Sequence, residues 1–317
     1  MALYLNDEAV ADLLPMAQAV DCVDAAFQSL ARGEAANAVR VRMAVAPAVM
    51  NVMWACAPSV GMMGVKSYVT GGGTTQGTTL TLTLYSMATG EMLALVEANR
   101  LGQIRTGAAT AVATRAMGKP HPVALSVYGT GFQAGYQVRA LLDTQPTMAE
   151  VRVVGRDPGR RDAFIERLSR EFPGARFLPA DAKTAAACAD VIVTATQSAE
   201  PLFDAAWLQP GVHINAIGSN DPRKREIGRD VLERAGLILA DDLEVARKES
   251  GDLLANQWDM ARVGSLGDLL IGKRPGRARD DEITVFESQG LAVQDVVCGA
   301  AIVARAHEKG SGIRLSR

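Results

Sequence analysis

The sequence is poor in the residues that build metal centres, disulfide frameworks and nucleic-acid surfaces. Its 317 residues include 3 histidines and 4 cysteines, and the cysteines stand singly without metal-site spacing. Aromatic residues make up 5% and the net charge is −2, which argues against nucleic acid or an anionic membrane as partner. No apolar stretch approaches the about 20 residues of a membrane helix, and the N-terminus lacks a signal-peptide pattern. We expect a cytoplasmic protein with reduced cysteines and no metal.

A strand, a glycine turn, a helix and a second strand follow one another in residues 123–157. The apolar run VALSVY is followed by Gly129, Gly131 and Ala134 in the spacing G-x-G-x-x-A. The first glycine allows a tight turn, the second lets a pyrophosphate approach the backbone, and the alanine permits close helix packing. Free N–H groups at the helix start would bind the phosphates. The pattern predicts a dinucleotide-binding unit, and the alternative is a glycine-rich turn without a ligand.

The residues that end the second strand indicate which nicotinamide cofactor is bound. An acidic side chain there bonds the ribose 2′-hydroxyl of NAD, whereas arginine suits the 2′-phosphate of NADP. Here Arg156 and Asp157 end the strand, and Arg160 and Arg161 follow. We therefore expect NADP to be favoured, with NAD kept possible by Asp157. A solvated arginine loop is the alternative.

The chain before this unit reads as two helices followed by an antiparallel β region. Strands are predicted at 39–45, 49–57, 62–70, 79–86 and 92–96. The alternation in VRVRMAV predicts that Arg40 and Arg42 share one strand face. The glycines at 71–73 indicate a loop that is either mobile or close to a ligand. A small-residue helix at 99–117 ends at the break GKPHP, where we place a domain boundary.

Beyond the dinucleotide unit, short strands and helices alternate, which is typical of a doubly wound parallel sheet. Ligands of such sheets lie at the carboxyl ends of the strands, so Thr196 and residues 218–221 are expected at the mouth of the site. A long helix at 292–309 is expected to pack back on the first third. The predicted fold class is α/β, with a Rossmann-type doubly wound sheet (119–292) and a discontinuous α+β domain (1–118 with 293–317).

Three cations precede the Rossmann domain in strand or helix contexts: Arg40, Lys66 and Arg105. Lys66 lies in the otherwise apolar strand GVKSYV, and Arg105 lies among small residues at a helix start. Arginine binds carboxylates through a planar fork, and lysine has a tunable pKa. The set predicts an anionic substrate, most simply an α-amino or α-imino acid, unless the three are unrelated surface cations. Asp241 and Asp242 are expected in a solvated turn.

The chain resembles the ornithine cyclodeaminase/mu-crystallin family over nearly its full length. The segments that carry the resemblance are VKSYVTGGG (65–73), TGEMLALVEANRLGQIRTGAATAVAT (89–114), YGTGFQAGYQ (128–137), VIVTAT (191–196), INAIGSNDPRKREI (214–227) and FESQGLAVQD (286–295). The resemblance implies a homodimer whose discontinuous domain binds substrate and dimerises. It also implies an NAD(P)-dependent oxidoreductase that acts on a C=N or CH–NH bond of an amino or imino acid.

The resemblance assigns roles to individual residues as well. Lys66 would contact the substrate carboxylate or imine and assist proton transfer, and Arg105, the second catalytic residue, would hold the carboxylate with Arg40. Further substrate contacts would be Asn220, Ser288 and Gln289. Together with the residues already named, the implied cofactor contacts are Thr81, Arg105, Gly129, Gly131, Phe132, Gln133, Arg156, Arg161, Thr196, Ile214, Asn215, Ala216, Ile217 and Lys224.

One position departs from the family's pattern. In its cyclodeaminases an aspartate acts in acid–base chemistry, and the aligned residue here is Asn220, which takes no proton at neutral pH. The first hypothesis is therefore an NAD(P)H-dependent reductase of a cyclic ketimine carboxylate, Δ1-pyrroline-2-carboxylate or Δ1-piperideine-2-carboxylate, which gives L-proline or L-pipecolate. The alternatives are ornithine cyclodeaminase with bound NAD, an alanine dehydrogenase-like enzyme, and a non-catalytic mu-crystallin-like binding protein.

Overall fold

Two β-sheets organise the chain in the computed structural model, which describes residues 2–71 and 79–315. The strands, in chain order, are β1 (Leu3–Leu5), β2 (Ala36–Asn37), β3 (Val41–Val45), β4 (Ala48–Ala57), β5 (Met62–Gly71), β6 (Leu80–Ser86), β7 (Met92–Glu97), β8 (Ala124–Tyr128), β9 (Glu150–Val154), β10 (Arg176–Pro179), β11 (Val191–Thr194), β12 (His213–Ala216), β13 (Ala235–Ala240), β14 (Gly264–Ser265), β15 (Ile283–Glu287) and β16 (Ile313–Arg314).

Helices lie between these strands and after the last long one. They are α1 (Asp7–Leu13), α2 (Met16–Ala31), α3 (Asn99–Met117), α4 (Phe132–Thr144), α5 (Pro158–Glu171), α6 (Ala182–Ala187), α7 (Arg229–Arg234), α8 (Leu243–Glu249), α9 (Gly251–Ala255), α10 (Leu266–Leu270) and α11 (Ala292–Lys309). Within the described part of the chain, no helix is both long enough and apolar enough to cross a membrane.

The first compact unit comprises Met1–Arg105 and Leu291–Arg317. Its sheet has the order β16-β1-β7-β6-β5-β4-β2, and β3 also pairs with β4. Strands β3 to β7 pair antiparallel with their neighbours, and β1 lies parallel to β7. Helix α11 packs against β4, β5, β6 and α2, so the predicted return of the last helix to the first third of the chain is confirmed.

The second compact unit, Thr106–Gly290, contains a parallel sheet in the order β10-β9-β8-β11-β12-β15-β13-β14. Its central strands β11, β12 and β15 are buried along their whole length, as expected when helices cover both faces of a sheet. The order reverses at β8, where β9 and β10 lie on one side and β11 and β12 on the other. The predicted Rossmann-type fold class is confirmed.

The two units divide at Arg105, inside α3, rather than at the GKPHP break of the predicted boundary. From Thr106 onward, α3 packs within the second unit. A Cβ at Gly107 would lie 2.6 Å from the carbonyl oxygen of Tyr136 in α4, and Thr114 accepts a hydrogen bond from Asn215 at 3.0 Å. Close packing of the small residues of α3 therefore moves the boundary upstream.

The predicted strand at 39–45 begins two residues later, at Val41, so Arg40 lies just before β3 and is not part of it. Arg42 pairs with Asn51, on the sheet face that Lys66 also occupies, and the shared face of Arg40 and Arg42 stays a prediction. Arg40 is buried, whereas Arg42 is exposed. Of the glycines predicted to form a loop near a ligand, Gly71 ends β5 with a φ of +79°, and residues 72–73 lie outside the described ranges.

Candidate active site

The glycine turn of the second unit leaves room for a ligand beside the backbone. Gly129 follows β8 with a φ of +111°, and a Cβ there would lie 2.5 Å from the carbonyl oxygen of Ala195. A Cβ at Gly131 would meet nothing within 4 Å, and no side chain of the described residues caps α4, which begins at Phe132. The first N–H groups of α4 therefore lie beside open space. This geometry fits the pyrophosphate of a dinucleotide.

The end of β9 carries the arginines predicted to choose the cofactor. Arg156 and Asp157 are exposed, and the carboxylate of Asp157 caps α5 by accepting a hydrogen bond from the Arg160 backbone N–H at 3.0 Å. A Cβ at Gly155 would lie 3.2 Å from the Cβ of Arg161. Arg161 thus lies at the strand end, while the carboxylate of Asp157 is engaged by the helix.

The other predicted cofactor contacts fall into two sets, one exposed or half-buried and the other buried. Phe132 is 74% exposed, and Gln133, Thr196 and Lys224 are half-buried, so part of each residue reaches solvent. The four remaining side chains are buried in or just after β12: Ile214, Asn215, Ala216 and Ile217. When both faces of a central strand are covered, a ligand can contact that strand mainly at its carboxyl end. Contact of residues 214–217 with the cofactor stays a prediction.

In the first unit, three cations and one carboxylate form a buried cluster. Lys66 on β5 donates hydrogen bonds from Nζ to both carboxylate oxygens of Asp295 on α11, at 3.0 Å each. Arg105 donates from Nε to Asp295 at 3.2 Å and from Nη1 to the Gln294 amide oxygen at 3.2 Å. The charge of buried Arg40 also acts on Lys66. The alternative of three unrelated surface cations is thereby excluded.

Burial and the neighbouring charges set the pKa of Lys66. Burial lowers this pKa to about 8, the Asp295 carboxylate opposes the shift, and the charges of Arg105 and Arg40 add to it. Lys66 and Arg105 share the single carboxylate of Asp295. Ammonium and guanidinium groups held together in this way are groups that bind a small carboxylate.

Asp295 and Gln294 were missed by sequence reasoning, although both lie in the segment FESQGLAVQD. Both side chains are fully buried on α11, and the Gln294 Nε2 has no hydrogen-bond partner among the described residues. The available signal was a polar pair inside the apolar helix AVQDVVCGAAIV, because buried polar residues need partners. That signal indicates a buried role without naming the partner.

Thr81, predicted beside the cofactor, lies on the other face of the sheet from Lys66. Lys66 is paired with Leu82, so these two residues share the face that α11 covers. Thr81 is paired with Ser67, and their hydroxyl groups are 3.2 Å apart. Because neighbouring residues of a strand point to opposite faces, Thr81 does not share the face of the cation cluster, and its contact with the cofactor stays a prediction.

Asp241 is buried, so the predicted solvated turn is wrong at this residue. Its carboxylate accepts hydrogen bonds from the backbone N–H groups of Gln289 and Gly290, at 2.8 and 2.7 Å, and from the Ser288 hydroxyl at 3.4 Å. Asp242 instead caps α8. Asp241 therefore fixes the turn that carries two predicted substrate contacts, Ser288 and Gln289, which are both buried.

Asn220 is half-buried after β12, in the loop that leads to Lys224. The neighbouring Asp221 is committed to Arg223, whose guanidinium donates to both carboxylate oxygens at 2.9 and 2.7 Å. These hydrogen bonds lower the pKa of Asp221 below its usual range. Asp221 therefore does not supply the acid–base group that the asparagine lacks.

The comparisons with known proteins agree with this arrangement. Residues 2–310 match the model of the ornithine cyclodeaminase/mu-crystallin family. The chain belongs to that family. It is 34% identical to a Δ1-pyrroline-2-carboxylate reductase of Bacillus cereus over 237 residues, which are 73% of this chain and 72% of that protein.

Solved structures match along the whole chain. The Thermococcus litoralis Δ1-pyrroline-2-carboxylate reductase in complex with NADH and L-proline has a TM-score of 0.93 at 26% identity, covering 99% of this chain and 100% of that one. An archaeal alanine dehydrogenase dimer with bound NAD has a TM-score of 0.93 at 29% identity, covering 99% of each chain. Both the predicted family and the predicted fold class are confirmed by these similarities.

Proposed function

We propose that this chain is an NAD(P)H-dependent reductase of a cyclic ketimine carboxylate, with Δ1-pyrroline-2-carboxylate or Δ1-piperideine-2-carboxylate as substrate and L-proline or L-pipecolate as product. It is an NAD(P)-dependent oxidoreductase acting on an amino or imino acid, the class that its named relatives share. Within that class, the observation that carries the proposal is the buried cluster of Lys66, Arg105, Arg40 and Asp295. The ammonium of Lys66 and the guanidinium of Arg105, held together by one carboxylate, suit the binding of a small carboxylate.

The reaction needs a hydride and a proton. The nicotinamide, when bound, supplies the hydride to the imine carbon. Arg40 and Arg105 bind the substrate carboxylate and thereby fix the orientation of the ring. The Lys66 ammonium donates its proton as the imine nitrogen becomes an amine, and a pKa of about 8 leaves it protonated yet acidic enough to donate near neutral pH.

The test follows absorbance of the reduced cofactor when purified protein is mixed with NADPH or NADH and with Δ1-pyrroline-2-carboxylate or Δ1-piperideine-2-carboxylate. We expect oxidation, and we expect Lys66→Met to lower kcat by about 100-fold or more because the proton donor is lost. Lys248→Met is the matched control, because Lys248 is exposed and pairs with Glu244. Failure to oxidise either cofactor with either imine rejects the proposal.

Ornithine cyclodeaminase is the rival activity, and Asn220 is the observation against it. That reaction would release ammonia from L-ornithine without net oxidation of the cofactor. Ammonia release without reductase activity would replace our proposal with this one. Cofactor binding without either reaction would indicate a non-catalytic binding protein, and reversible oxidation of L-alanine would indicate an alanine dehydrogenase.

We further propose that NADP is the preferred cofactor. Arg156 is exposed and Arg161 lies at the end of β9, while the Asp157 carboxylate caps α5. Two similar structures contain NADH or NAD, so kcat/KM is measured with both cofactors. Arg161→Ala should lower kcat/KM for NADPH by about tenfold and leave NADH unchanged, since only NADPH carries the 2′-phosphate. Arg170→Ala, at the exposed end of the same helix, is the control.

We also propose a homodimer that forms through one face of the first unit's sheet. Eight apolar side chains on this outer sheet face are 36–74% exposed: Val41, Met43, Val45, Met50, Trp54, Met63, Val65 and Val69. Register aligns Met43 with Met50 and then with Val69, so the side chains form a continuous surface. A surface of this kind is typical of an interface. The cytoplasmic location stays a prediction.

A further inference from the structure

Glu226 is a buried carboxylate that holds the ends of two strands of the parallel sheet. It is fully inaccessible to solvent. Its Oε1 accepts the Thr196 backbone N–H at 2.6 Å, and its Oε2 accepts the Thr194 hydroxyl and the Gly218 backbone N–H at 2.8 Å each. The donors belong to the end of β11 and to the segments that follow β11 and β12. The three donors use both oxygens as acceptors, with one hydrogen bond to Oε1 and two to Oε2.

The segment that Glu226 holds after β11 also contacts the glycine turn. A Cβ at Gly129 would lie 2.5 Å from the Ala195 carbonyl oxygen and 3.4 Å from Cγ2 of Thr196. The Ala195 backbone N–H donates to the Tyr128 carbonyl oxygen at 2.9 Å. The carboxylate, the end of β11 and the turn after β8 are therefore in continuous contact.

Gly218 shows how closely the second segment approaches the carboxylate. A Cβ at Gly218 would lie 2.6 Å from both Oε1 and Oε2 of Glu226. Only glycine allows its N–H to reach Oε2 at this distance without displacing the side chain. The position of Gly218 is thus tied to that of Glu226.

A second buried carboxylate fixes Glu226 from behind. Asp252 accepts the backbone N–H groups of Glu226 and Ile227 through Oδ1, at 2.6 and 2.9 Å. Its own backbone N–H donates to the Ser219 hydroxyl at 2.9 Å, one residue after Gly218. Asp252 therefore holds the main chain of Glu226, and the three donors at the strand ends hold its side chain. The Glu226 carboxylate is fixed at both ends of the residue.

We infer that Glu226 is a positioning residue for the dinucleotide, which sets the strand-end segments after β11 and β12 in the arrangement that binds the cofactor. Ligands of doubly wound sheets lie at these strand ends, and Thr196 is one of the half-buried residues available there. The role rests on the proposed function, since it presumes that the second unit binds NAD(P). It concerns cofactor affinity, whereas proton transfer belongs to the cluster around Lys66.

The test compares Glu226→Gln with the unsubstituted protein by titrating NADH and NADPH against the full-length chain and by steady-state kinetics. Glutamine keeps the size but places an NH2 group against a donor. We expect the Kd of the reduced cofactor to rise about tenfold, while kcat at saturating cofactor changes by less than about threefold. Glu200→Gln removes an exposed carboxylate beside Arg225 and should leave both constants unchanged.

Two further variants keep the test decisive if Glu226→Gln folds poorly. Thr194→Val removes one of the three hydrogen bonds at nearly constant volume, and Gly218→Ala pushes a methyl group toward the carboxylate. Each should raise the Kd by about threefold or more. Unchanged Kd values in all folded variants would overturn the role and leave the proposed function intact. If the unsubstituted protein binds neither NADH nor NADPH, the role and the proposed function both fail.

Discussion

At the scale of single residues, the carboxylate of Asp295 controls the charge of Lys66. Burial lowers the pKa of Lys66, and Asp295, which touches the ammonium with both oxygens, limits that shift. Arg105 shares the same carboxylate. Proton donation by Lys66 therefore depends on a residue of the C-terminal helix, 229 positions away in the sequence.

The variant Asp295→Asn should move the pH profile of the reaction. Lys66 donates its proton only while protonated, so activity is present below its pKa of about 8 and is lost as the pH rises through that value. Loss of the opposite charge should lower the pKa of Lys66 further, and the alkaline fall in kcat should move down by about one to two pH units. The measurement is kcat between pH 5.5 and 9.5 at saturating imine and cofactor.

Two further variants show whether the shift comes from the charge. Asp295→Glu keeps the charge and should restore most of the original profile, while Glu308→Gln, at the exposed end of the same helix, should not change it. An Asp295→Asn profile with the original alkaline limb would refute the assignment of Lys66 as the proton donor.

Two cations of this site could be predicted from the sequence because their surroundings are unusual for a charge. Lys66 lies in an apolar strand, and Arg105 lies among the small residues of α3. Their counter-ion could not be found, because nothing local pairs residue 66 with residue 295. Asp241 shows the same limit, since its partners in the turn at Ser288 come 47 positions later. The residue type at one position predicts that a buried polar group needs a partner, but it does not identify that partner.

At the scale of elements, two glycines allow α11 to pack closely on the sheet. A Cβ at Gly299 would lie 2.9 Å from Cδ2 of Leu82 on β6, and a Cβ at Gly64 on β5 would lie 2.9 Å from Cγ2 of Val296. Gly299 is one helical turn after Asp295, so both face the sheet. The close seat brings the Asp295 carboxylate to Lys66.

The variant Gly299→Val should lift α11 from the sheet. Overpacking of this kind costs about 1–3 kcal/mol of unfolding free energy, and kcat should fall because Asp295 moves away from Lys66. Thermal unfolding and kcat at saturating substrates are the measurements. Ala304→Val, on the exposed face of the same helix, is the control for β-branching and should change neither strongly. A stable Gly299→Val enzyme with full kcat would contradict this account of the helix seat.

Long elements with a clear period could be predicted, and short ones could not. The glycine turn between β8 and α4, the antiparallel hairpin of β6 and β7, and the span of α11 all follow from local patterns. Helices α9 and α10 have 5 residues each, which is too short for a helical period to show. Their ends are fixed by tertiary contacts such as the hydrogen bonds between Asp252 and residues 226–227.

At the scale of the whole molecule, the second unit should carry a pH-dependent stability. Burial raises the pKa of Asp252 to about 7, and it also raises the pKa values of Glu226 and Glu287. Between the ordinary carboxyl pKa and these raised values, the folded state binds more protons than the unfolded state. The contribution of these groups to stability therefore falls as the pH rises through that window.

The variant Glu287→Gln should remove part of this loss of stability at high pH. Its unfolding temperature should match the unsubstituted protein near pH 5.5 and exceed it by about 2–4 °C at pH 8, since the buried charge is then absent. His213, whose pKa burial lowers to about 3, acts in the opposite direction below about pH 6.5 but is present in both proteins. Glu233→Gln, an exposed site in the same unit, is the control. An equal difference at both pH values would contradict the prediction.

Two lysines on the outer sheet face should disrupt the proposed dimer. Met43→Lys with Trp54→Lys places two charges where 70% and 42% exposed apolar side chains stand, and burying them unpaired against a second copy is costly. Light scattering after size exclusion should give twice the 33.5 kDa chain mass for the unsubstituted protein and the chain mass for the variant. Ile313→Lys replaces a 65% exposed apolar residue on β16 and should remain dimeric. The proposal assigns this apolar face to a second copy of the chain. A monomeric unsubstituted protein at micromolar concentration, or a dimeric double variant, would therefore refute the interface.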